Sequence, residues 1–532
     1  MKADLHCHSQ YSKHPSDWFL QRIGSAESYT TPDQIYHRMK ERGMDFFAIT
    51  DHNTMEGSLQ LHEAYPETVI RGVESTAYFP EDQCKVHILI YDIGIEEFLR
   101  IESLRTNIYL LQDYLVESEI PHAVAHATFS VNGTLTKDHV ERLLLLFSLF
   151  ETRNGSRTED ANHGLSYLLN NLTPLHMDQL SQKHGLSPVN ETPWIKGEIG
   201  GSDDHSGLYL GETYTEIPHV KNVQEFIQML RQGSCLAQGR HSDFRSLTFH
   251  FYKVAVDFSS HRSPAASQGF LSSIGEYLST GKPFGLRDKL NLSKIKNSAV
   301  KEHLRPFFAK GNKNSTMTER RDLLYTTLTN ITDDLIQDIF TSLIEKVYAG
   351  DVIGLMRSIS SLIPPTFLCA PFFSSLKYHY KDKKILTDLL QSLHIAQREH
   401  TRILWFTDTL FELNGPAESV KQIVQAAQKI DEVELILVTT ATENETCEDV
   451  PPNTILLPAC FSMEMPHYKD ILLRIPSLLK TIEKIDALNA HALVLSTPGP
   501  LGLIAHMIGR VSSLPIHGIY HTDFAEQAYA IT

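Results

Sequence analysis

The sequence predicts an α/β protein in three parts. Residues 1–245 are expected to form a parallel sheet or barrel, residues 246–399 a mainly helical connector and residues 400–532 a Rossmann-like domain. In the first part, apolar strands alternate with helices and lead into polar residues, which is typical of βαβ units. Helical periodicity dominates the second part, and the third returns to buried strands separated by turns and helices.

The first part contains its elements in a regular order. Thr31 is expected to cap a helix that has Pro32 at its first position and ends near Gly43. The apolar runs that predict buried strands are 3–5, 45–50, 69–73, 86–90 and 123–125. Barrel enzymes keep their reactive groups at the carboxyl ends of strands, so polar residues there are candidates for chemistry.

The other two parts differ in pattern. Residues 321–344 have the period of a helix, residues 311–315 indicate a loop, and no chemical motif occurs in the connector. Further on, residues 402–407, 434–438 and 492–495 predict buried strands. Asn414 and Gly415 begin a turn before a helix that starts near Glu418, so a doubly wound sheet is expected.

Composition restricts the function classes. The chain has 532 residues and a net charge of −16, which disfavours a broad basic face for nucleic acid. Its six cysteines include no CxxC pair, as expected of a protein in a reducing cytoplasm without a thiolate zinc site. No apolar run approaches the ~20 residues of a membrane span, and no signal peptide is expected. We therefore expect a cytoplasmic protein.

The chain has 27 histidines, and their placement matters more than their number. His6 and His8 are two apart on a predicted strand, so both side chains point to one face. The full set of candidate metal ligands is His6, His8, His14, His52, Glu74, His87, His126, Asp203 and His205. Each of these residues alone could have an ordinary structural role. Together, however, they are more ligands than one tetrahedral ion can bind. Nitrogen and oxygen donors without sulfur favour two or three Zn, Mn or Fe ions.

Four segments resemble the signature blocks of PHP (polymerase and histidinol phosphatase) domains. They are Asp4-Leu5-His6-Cys7-His8-Ser9, Thr50-Asp51-His52-Asn53, Gly72-Val73-Glu74 and Gly201-Ser202-Asp203-Asp204-His205. The resemblance covers about the first 245 residues. It implies a distorted seven-stranded β/α barrel, (β/α)7, with metal ions at the carboxyl ends of its strands.

The resemblance also implies roles by position. His6, His8, Glu74 and Asp203 would surround a first metal; Glu74 would bridge to a second, held by His87 and His126; and His14, His52 and His205 would hold a third. His122 competes with His126, and Ala127 stands where the family often has proline. Asp4 and Asp51 would orient imidazoles, and we also place Asp51 among the catalytic residues.

The predicted activity is hydrolysis of a phosphoester, because paired divalent ions activate water and neutralise phosphoryl oxygens. The substrate would be a phosphorylated small molecule or a sugar phosphate. Arg153 and Arg157 follow a predicted strand and are candidates for holding the phosphoryl oxygens. The alternative is that both are solvated loop residues.

Three segments of the last part resemble the N-terminal half of a GT-B glycosyltransferase of the group 1 (family 4) kind. They are 402–409 with Asn414-Gly415, then 496–502, then 520–524. The resemblance implies that Asn414 and Gly415 lie over the donor phosphates and that His521 lies close to the transferred sugar. The second Rossmann domain is missing, so we expect a fragment of a longer protein that could use a nucleotide-sugar.

Two alternatives to a phosphoesterase remain open at this stage. The metals could only stabilise a scaffold or sensor domain of a glycosyltransferase. The barrel could instead be a nuclease, since PHP domains also proofread beside polymerases, although the acidic composition disfavours this.

Overall fold

The computed structural model describes residues 1–15, 18–262, 270–286, 288, 290, 293, 298–308, 315–349, 351, 363–381, 383–395, 401–412, 415–443, 445, 450–465 and 468–519. The chain divides into two compact units. One comprises Met1–Lys282 with His379–Gln397, and the other comprises Pro283–Tyr378 with Arg398–Thr532. Among the described helices, none has the length and apolar character needed to cross a bilayer.

The described strands and helices have the following bounds. The strands are β1 (Lys2–Cys7), β2 (Phe46–Ile49), β3 (Val69–Tyr78), β4 (Lys85–Tyr91), β5 (His122–Val124), β6 (Leu149–Asn154), β7 (Gly197–Gly201), β8 (Thr213–Glu216), β9 (Leu236–Gly239), β10 (Thr401–Phe406), β11 (Val433–Ala441), β12 (Thr454–Met465), β13 (Tyr468–Pro476), β14 (Ala492–Leu495) and β15 (Ile516–Gly518). The helices are α1 (Trp18–Ile23), α2 (Pro32–Glu41), α3 (Glu56–Ala64), α4 (Ile95–Leu104), α5 (Ile108–Glu117), α6 (Lys137–Leu146), α7 (Glu159–Asn170), α8 (Pro174–His184), α9 (Val223–Arg231), α10 (Phe244–Arg262), α11 (Phe270–Thr280), α12 (Ser298–Leu304), α13 (Met317–Ala349), α14 (Ile363–His379), α15 (Lys383–Ser392), α16 (Gly415–Ala427), α17 (Leu478–Ala487) and α18 (Pro500–Ser512), with a short 3₁₀ helix at Arg305–Phe308.

The first unit contains a nearly closed, barrel-like sheet in the order β7-β6-β5-β4-β3-β2-β1-β8-β9. Past their ends, β7 and β1 also meet directly. The amide of Asp203 donates to the carbonyl of His6 at 2.6 Å, and the amide of His8 donates to the carbonyl of Asp204 at 3.1 Å. A side chain at Gly201 would collide with His6, so glycine there permits this close approach.

Two strands of this sheet, β4 and β8, run against the others. β4 pairs antiparallel with β3 and β5, whereas β1–β2, β2–β3, β5–β6 and β6–β7 are parallel pairs. The reason is the short connection between β3 and β4, residues 79–84, because a parallel crossover needs about a dozen residues or more. The start of β4 therefore lies at the same end of the sheet as the carboxyl ends of its parallel neighbours.

Local sequence signals explain several helix boundaries. Thr31 caps α2, with its hydroxyl accepting from the amide of Gln34 and its own amide donating to the Gln34 side chain. Pro32 is the first residue of that helix, as the sequence predicts. α10 begins at Phe244 and continues through the predicted domain boundary at residue 245.

The segment 379–397 returns to the first unit from far along the chain. Its helix α15 buries Leu386, Leu389 and Leu390 in the same apolar core as α6 and α7. Gly164 of α7 lies directly under Leu386, where a Cβ atom would overlap that side chain. This packing fixes the residues that precede α15 against the barrel.

The second unit contains a six-stranded sheet in the order β13-β12-β11-β10-β14-β15. Its pairs are parallel except for β12 with β13. The parallel strands thus follow the 3-2-1-4-5 order of a doubly wound sheet. From residue 246 to residue 399, the described elements are helices.

Candidate metal centre

Glu74 lies at the centre of a buried group of imidazoles. Five ring nitrogens lie near its two carboxylate oxygens, namely His6 Nε2 at 3.1 Å, His8 Nε2 at 3.2 Å, His52 Nδ1 at 3.1 Å, His87 Nδ1 at 2.6 Å and His126 Nε2 at 3.2 Å. A carboxylate offers about four lone-pair positions, so it cannot accept a hydrogen bond from every ring. The positions of these nitrogens around one carboxylate fit those of a metal-ligand shell.

The antiparallel hairpin explains how Glu74 and His87 meet. We expected Glu74 to end its strand, and this is wrong, because β3 continues for four more residues to Tyr78. Glu74 lies where β3 changes partners, since Arg71 still pairs with β2 and Gly72 already pairs with β4. His87, near the start of the reversed β4, pairs with Thr76 and so reaches the same edge.

Hydrogen bonds orient three of the imidazoles with Nε2 toward the cluster. Nδ1 of His6 lies 2.9 Å from Oε1 of Glu151 and donates to it. Nδ1 of His205 donates to the carbonyl of Asp203 at 3.2 Å. Nδ1 of His8 lies 3.0 Å from the Ser12 hydroxyl. Each ring then presents an Nε2 lone pair inward, as second-shell partners do for metal ligands.

Asp51 fixes the direction of the His8 hydrogen bond. The Ser12 hydroxyl donates to Oδ1 of Asp51 at 3.0 Å and can therefore only accept from His8. Asp51 also accepts from the amide and the hydroxyl of Ser9, both at 2.6 Å. Its carboxylate therefore holds the loop that follows β1 and acts on His8 through Ser12. The catalytic role of Asp51 stays a prediction.

The Nε2 lone pairs of these rings face one another, and a cation between them would remove their repulsion. Nε2 of His6 lies 3.1 Å from Nε2 of His8, although both are oriented as acceptors. Nε2 of His205 is buried without a hydrogen-bond partner in the described part of the chain, and its nearest carboxylate oxygen, Glu27 Oε1, is 3.7 Å away. These residues fit divalent metal ions, which accept lone pairs from neutral imidazoles.

Two residues of the cluster have left-handed backbone angles. His126 has φ 27° and Asp203 has φ 48°, a region that costs of order 1–3 kcal/mol for residues other than glycine. Oδ1 of Asp203 consequently lies 3.4 Å from His6 Nε2 and 3.5 Å from His8 Nε2. His126 and not His122 reaches Glu74, because His122 bonds the carbonyl of Ile120 through Nδ1 at 2.7 Å.

Sequence reasoning missed Glu27. This buried carboxylate lies in the loop before α2, with Oε2 3.1 Å from His52 Nε2. Its amide donates to the carbonyl of Ser12 at 3.2 Å, which holds the loop against the end of β1. The loop has no periodicity, so no local pattern identifies Glu27.

His14 does not join the cluster, contrary to the prediction. Its side chain is exposed and forms no hydrogen bond or ion pair among the described residues. The chain leaves the barrel mouth after Ser12, and Glu27 occupies the place opposite His52 and His205. The other eight predicted ligand residues lie together as groups whose ligand atoms are within 4.8 Å of one another.

Glu151 and Asn154 form the wall behind the cluster, and they were also missed. Glu151 accepts from the His6 ring and, at 3.1 Å, from the amide of His126. The side-chain amide of Asn154 donates to Glu151 at 2.8 Å and to Asp203 at 3.0 Å. An acidic residue inside the apolar run of β6 was a usable signal for Glu151.

The electrostatics of the cluster are those of a strongly coupled site. Burial alone would raise the pKa of Glu74, but His87, His52 and His6 outweigh it and hold that pKa well below its usual range. Burial opposes protonation of His52, yet Glu74 and Glu27 raise its pKa to about 9. In the absence of metal, protons on the histidines therefore balance the buried carboxylates. Metal binding would release them.

Asp4 supports the cluster from below. It accepts from the amide of Ser202 at 2.9 Å and from that of Gly211 at 2.8 Å. Burial raises the pKa of Asp4 to about 6, against the lowering effect of these hydrogen bonds. It anchors the segment that carries Asp203.

The two candidate arginines lie in different places. Arg153 donates to the carbonyl of Gly239 at 2.8 Å and lines a polar cleft with Asn162, Lys196 and Glu198. Arg157 is buried, and its guanidinium carbon lies 3.6 Å from the centre of the Phe129 ring. That ring lies 5.5 Å from the ring of His126. Of the two arginines, Arg157 is therefore the one that ring contacts connect to the cluster, through Phe129 and His126.

A second group, Glu159, His163 and His241, also has ligand-type atoms close together. The tautomer of His241, however, disfavours a metal ion there. The Asn162 amide nitrogen lies 2.9 Å from His241 Nδ1, while its oxygen accepts from the amide of Asn154 at 3.1 Å. Nδ1 of His241 must then accept, and Nε2 keeps the proton. This orientation is opposite to that of His6 and disfavours metal binding at Nε2.

In the second unit, Gly415 begins α16, the helix that follows β10. Asn414 and His521 lie outside the described residues. At the switch point between β10 and β14, Asp408 accepts from the amides of Leu501 and Gly502 at 2.9 and 3.3 Å. The amino end of α18 is thus capped by the protein itself.

Comparison with known proteins gives partial matches. The chain is 38% identical over 77 residues to an uncharacterized protein of Methanocaldococcus jannaschii, a match that covers 14% of this chain and 43% of that protein. It is 30% identical over 119 residues to the error-prone DNA polymerase of Cutibacterium acnes, covering 21% of this chain and 9% of the polymerase. The chain therefore spans less than half the length of these curated relatives.

Among solved structures, the chain is similar to one from Bifidobacterium adolescentis that is provisionally named a metal-dependent phosphoesterase. The match has 14% identity and a TM-score of 0.25, and it covers 44% of this chain and 96% of that one. No family model matches the sequence.

Proposed function

We propose that the first unit is a metal-dependent phosphoester hydrolase with two or three divalent ions at the barrel mouth. The observation that carries the proposal is the orientation of the His6, His8 and His205 rings. Each ring places its Nδ1 on a fixed acceptor. Nε2 of His6 and of His8 then faces Glu74, and Nε2 of His205 faces Glu27. If these histidines only stabilised the fold, their Nε2 lone pairs would not have to face the same space.

The ligand sets follow from the contacts. His6, His8, Glu74 and Asp203 would hold a first ion, and Glu74, His87 and His126 a second. His52 and His205 would hold a third, with Glu27 taking the position predicted for His14. Zn, Mn and Fe suit this set of nitrogen and oxygen donors.

Bound divalent ions would supply an activated water and neutralise the charge of the phosphoryl oxygens. In hydrolysis the water oxygen joins phosphorus, the ester P–O bond breaks and the alcohol leaves with a proton. Glu151 fixes the tautomer of His6, and Ser12 together with Asp51 fixes that of His8. In each of these rings Nδ1 carries the proton, and Nε2 has the lone pair that can bind a metal ion. Arg157 lies over the ring of Phe129, which contacts the ring of His126, and it is the candidate for holding a phosphoryl oxygen.

For the second unit we propose the acceptor-side half of a GT-B glycosyltransferase. The doubly wound strand order and the helix that begins at Gly415 support this proposal. Asp408 occupies the amides at the start of α18, so a nucleotide-sugar phosphate would bind near Asn414 and Gly415 instead. Saturation-transfer NMR with a nucleotide-sugar tests it, and transfer of the sugar by this chain alone would contradict it.

The hydrolase proposal is tested with metal-reconstituted protein and a panel of esters. The panel contains p-nitrophenyl phosphate, bis-p-nitrophenyl phosphate and labelled single-stranded DNA, which includes the nuclease alternative. We expect two or more bound ions and hydrolysis of a mono- or diester, with both lost in His8→Ala and Asp203→Ala. Metal-replete protein that cleaves none of the esters would support a scaffold or sensor instead.

A further inference from the structure

A polar cleft of about 260 Å³ lies between β6, β7, β9 and α7, and none of the candidate metal ligands in the described part of the chain lines it. Strand β6 borders both places. Its residues Glu151 and Asn154 contact the metal centre, whereas Thr152 and Arg153 line the cleft. The cleft is therefore separate from the proposed hydrolase site.

Two cations line this cleft without a carboxylate beside them. The guanidinium of Arg153 makes one hydrogen bond, from Nη1 to the carbonyl of Gly239 at 2.8 Å. Nζ of Lys196 donates to the carbonyls of Leu144 and Phe147, both at 2.6 Å. Within the described ranges, neither cation has a carboxylate oxygen within 4.0 Å.

Burial makes the uncompensated charge of Lys196 costly. It lowers the pKa of Lys196 to about 7, and no neighbouring charge opposes this effect. An anion bound beside Lys196 would favour the charged ammonium. Arg153 has further N–H donors, whose planar arrangement fits the oxygens of a carboxylate or a phosphate.

The carboxylate that lines the cleft, Glu198, is committed to other donors. Its Oε2 accepts from the hydroxyls of Thr152 and Ser166, both at 2.7 Å, and its Oε1 accepts from the side-chain amide of Asn170 at 2.7 Å. Glu198 therefore does not neutralise either cation. Thr152 and Ser166 spend their protons on Glu198 and can only accept hydrogen bonds from a ligand.

The charged groups beside Arg153 are mainly cations. Burial lowers the pKa of the neighbouring His241 to about 4, and Arg153, His163 and Arg240 act in the same direction, while Glu159 opposes them. This cationic end of the cleft occurs in a chain with a net charge of −16.

We propose that the cleft is a binding site for a small organic anion, with Arg153 and Lys196 as the residues that contact its carboxylate or phosphate group. The volume of the cleft limits the ligand to a small molecule. Hydroxyl or amine donors on the ligand would bond to Thr152 and Ser166. This inference does not depend on the activity of the metal centre.

Isothermal titration calorimetry of the full chain at low ionic strength tests the inference. The probes are succinate, inorganic phosphate and succinamide, which has the shape of succinate without its charge. We expect succinate or phosphate to bind and succinamide not to bind, and the tighter anion distinguishes a carboxylate site from a phosphate site. Arg153→Met and Lys196→Met should each weaken that binding by roughly tenfold or more, the size of one charged hydrogen bond.

Three further variants serve as controls. Arg153→Lys keeps the charge without the planar group, so its affinity should lie between those of the wild type and Arg153→Met. His87→Ala changes the metal centre, and Arg100→Met removes an exposed cation of α4, so both should bind the anion as the wild type does.

Anion binding that persists in both methionine variants, or that is lost in His87→Ala, would overturn the inference and assign the anion to another place. Absence of binding at millimolar concentrations of both anions would also overturn it. Neither result would affect the hydrolase proposal, which is tested by metal content and ester cleavage.

Discussion

Nε2 of His52 lies 3.1 Å from Oε2 of Glu27, a contact between a half-buried side chain shortly after β2 and a buried carboxylate in the loop before α2. Burial would raise the pKa of Glu27, but His52 and His205 outweigh it and lower that pKa to about 2. Glu27 therefore remains a carboxylate beside two candidate ligands. It gives the third predicted metal position an oxygen donor.

Glu27→Gln is expected to remove one bound metal ion and to lower kcat/KM by about 10- to 100-fold, the range typical of residues that support a metal site. The amide keeps the shape of the side chain but not its charge. Metal content by mass spectrometry and hydrolysis of p-nitrophenyl phosphate measure both effects. Glu67→Gln, at an exposed position, is the control. An unchanged metal count in Glu27→Gln would exclude Glu27 as a ligand.

His14 and His87 should respond in opposite ways to replacement by alanine. His87 is buried against Glu74, whereas His14 is exposed. We expect His87→Ala to lose metal and activity and His14→Ala to retain both. Metal titration by calorimetry on the two variants checks this. A loss of metal in His14→Ala would restore the ligand role that the sequence suggested.

The stability of metal-free protein should depend on pH through His52. Its pKa is about 9 in the folded chain, above the value of ~6.5 in an unfolded one. The stabilisation that protonated His52 provides is then fully present below pH ~6.5 and is lost as the pH rises through about 9. The Tm difference between chelator-treated wild type and His52→Gln should shrink across this window. A difference that stays constant or grows would contradict the proton balance described for the cluster.

Gly164→Ala should destabilise the protein, although alanine usually stabilises a helix by roughly 0.5–1 kcal/mol relative to glycine. Its Cβ would overlap Leu386, and overpacking of this kind costs about 1–3 kcal/mol. The cost should be smaller in a Leu386→Ala background, which urea denaturation of the four proteins in a double-mutant cycle measures. Stabilisation by Gly164→Ala alone would show that α15 does not pack on α7.

Local pattern was sufficient for part of the fold. Alternation of apolar runs and helices predicts the α/β class, and Thr31 with Pro32 predicts the start of α2. It could not predict that β4 is reversed, because the predicted strands 69–73 and 86–90 leave enough residues between them for a crossover. β3 in fact continues to Tyr78, which leaves only residues 79–84. The same reversal explains why His87, near the start of a strand, lies beside Glu74.

The candidate site also contains residues that a local sequence pattern identifies and residues that only long-range packing brings in. Residues in recognisable blocks, such as His6, His8 and Asp203, come together as expected. Glu27 does not stand in any periodic pattern, and it reaches His52 only through the long-range packing of its loop. Arg153 and Arg157 are four residues apart, but Arg153 belongs to β6 and Arg157 lies beyond the end of that strand.

The most direct test of the central claim is the rate of p-nitrophenyl phosphate hydrolysis before chelation, after chelation and after Mn²⁺ is added back. We predict that the wild type loses its activity with its metal and regains it on addition, while Glu74→Gln stays inactive throughout. Hydrolysis that continues at the same rate in metal-free protein, or in Glu74→Gln, would contradict the assignment of this cluster as the catalytic metal centre.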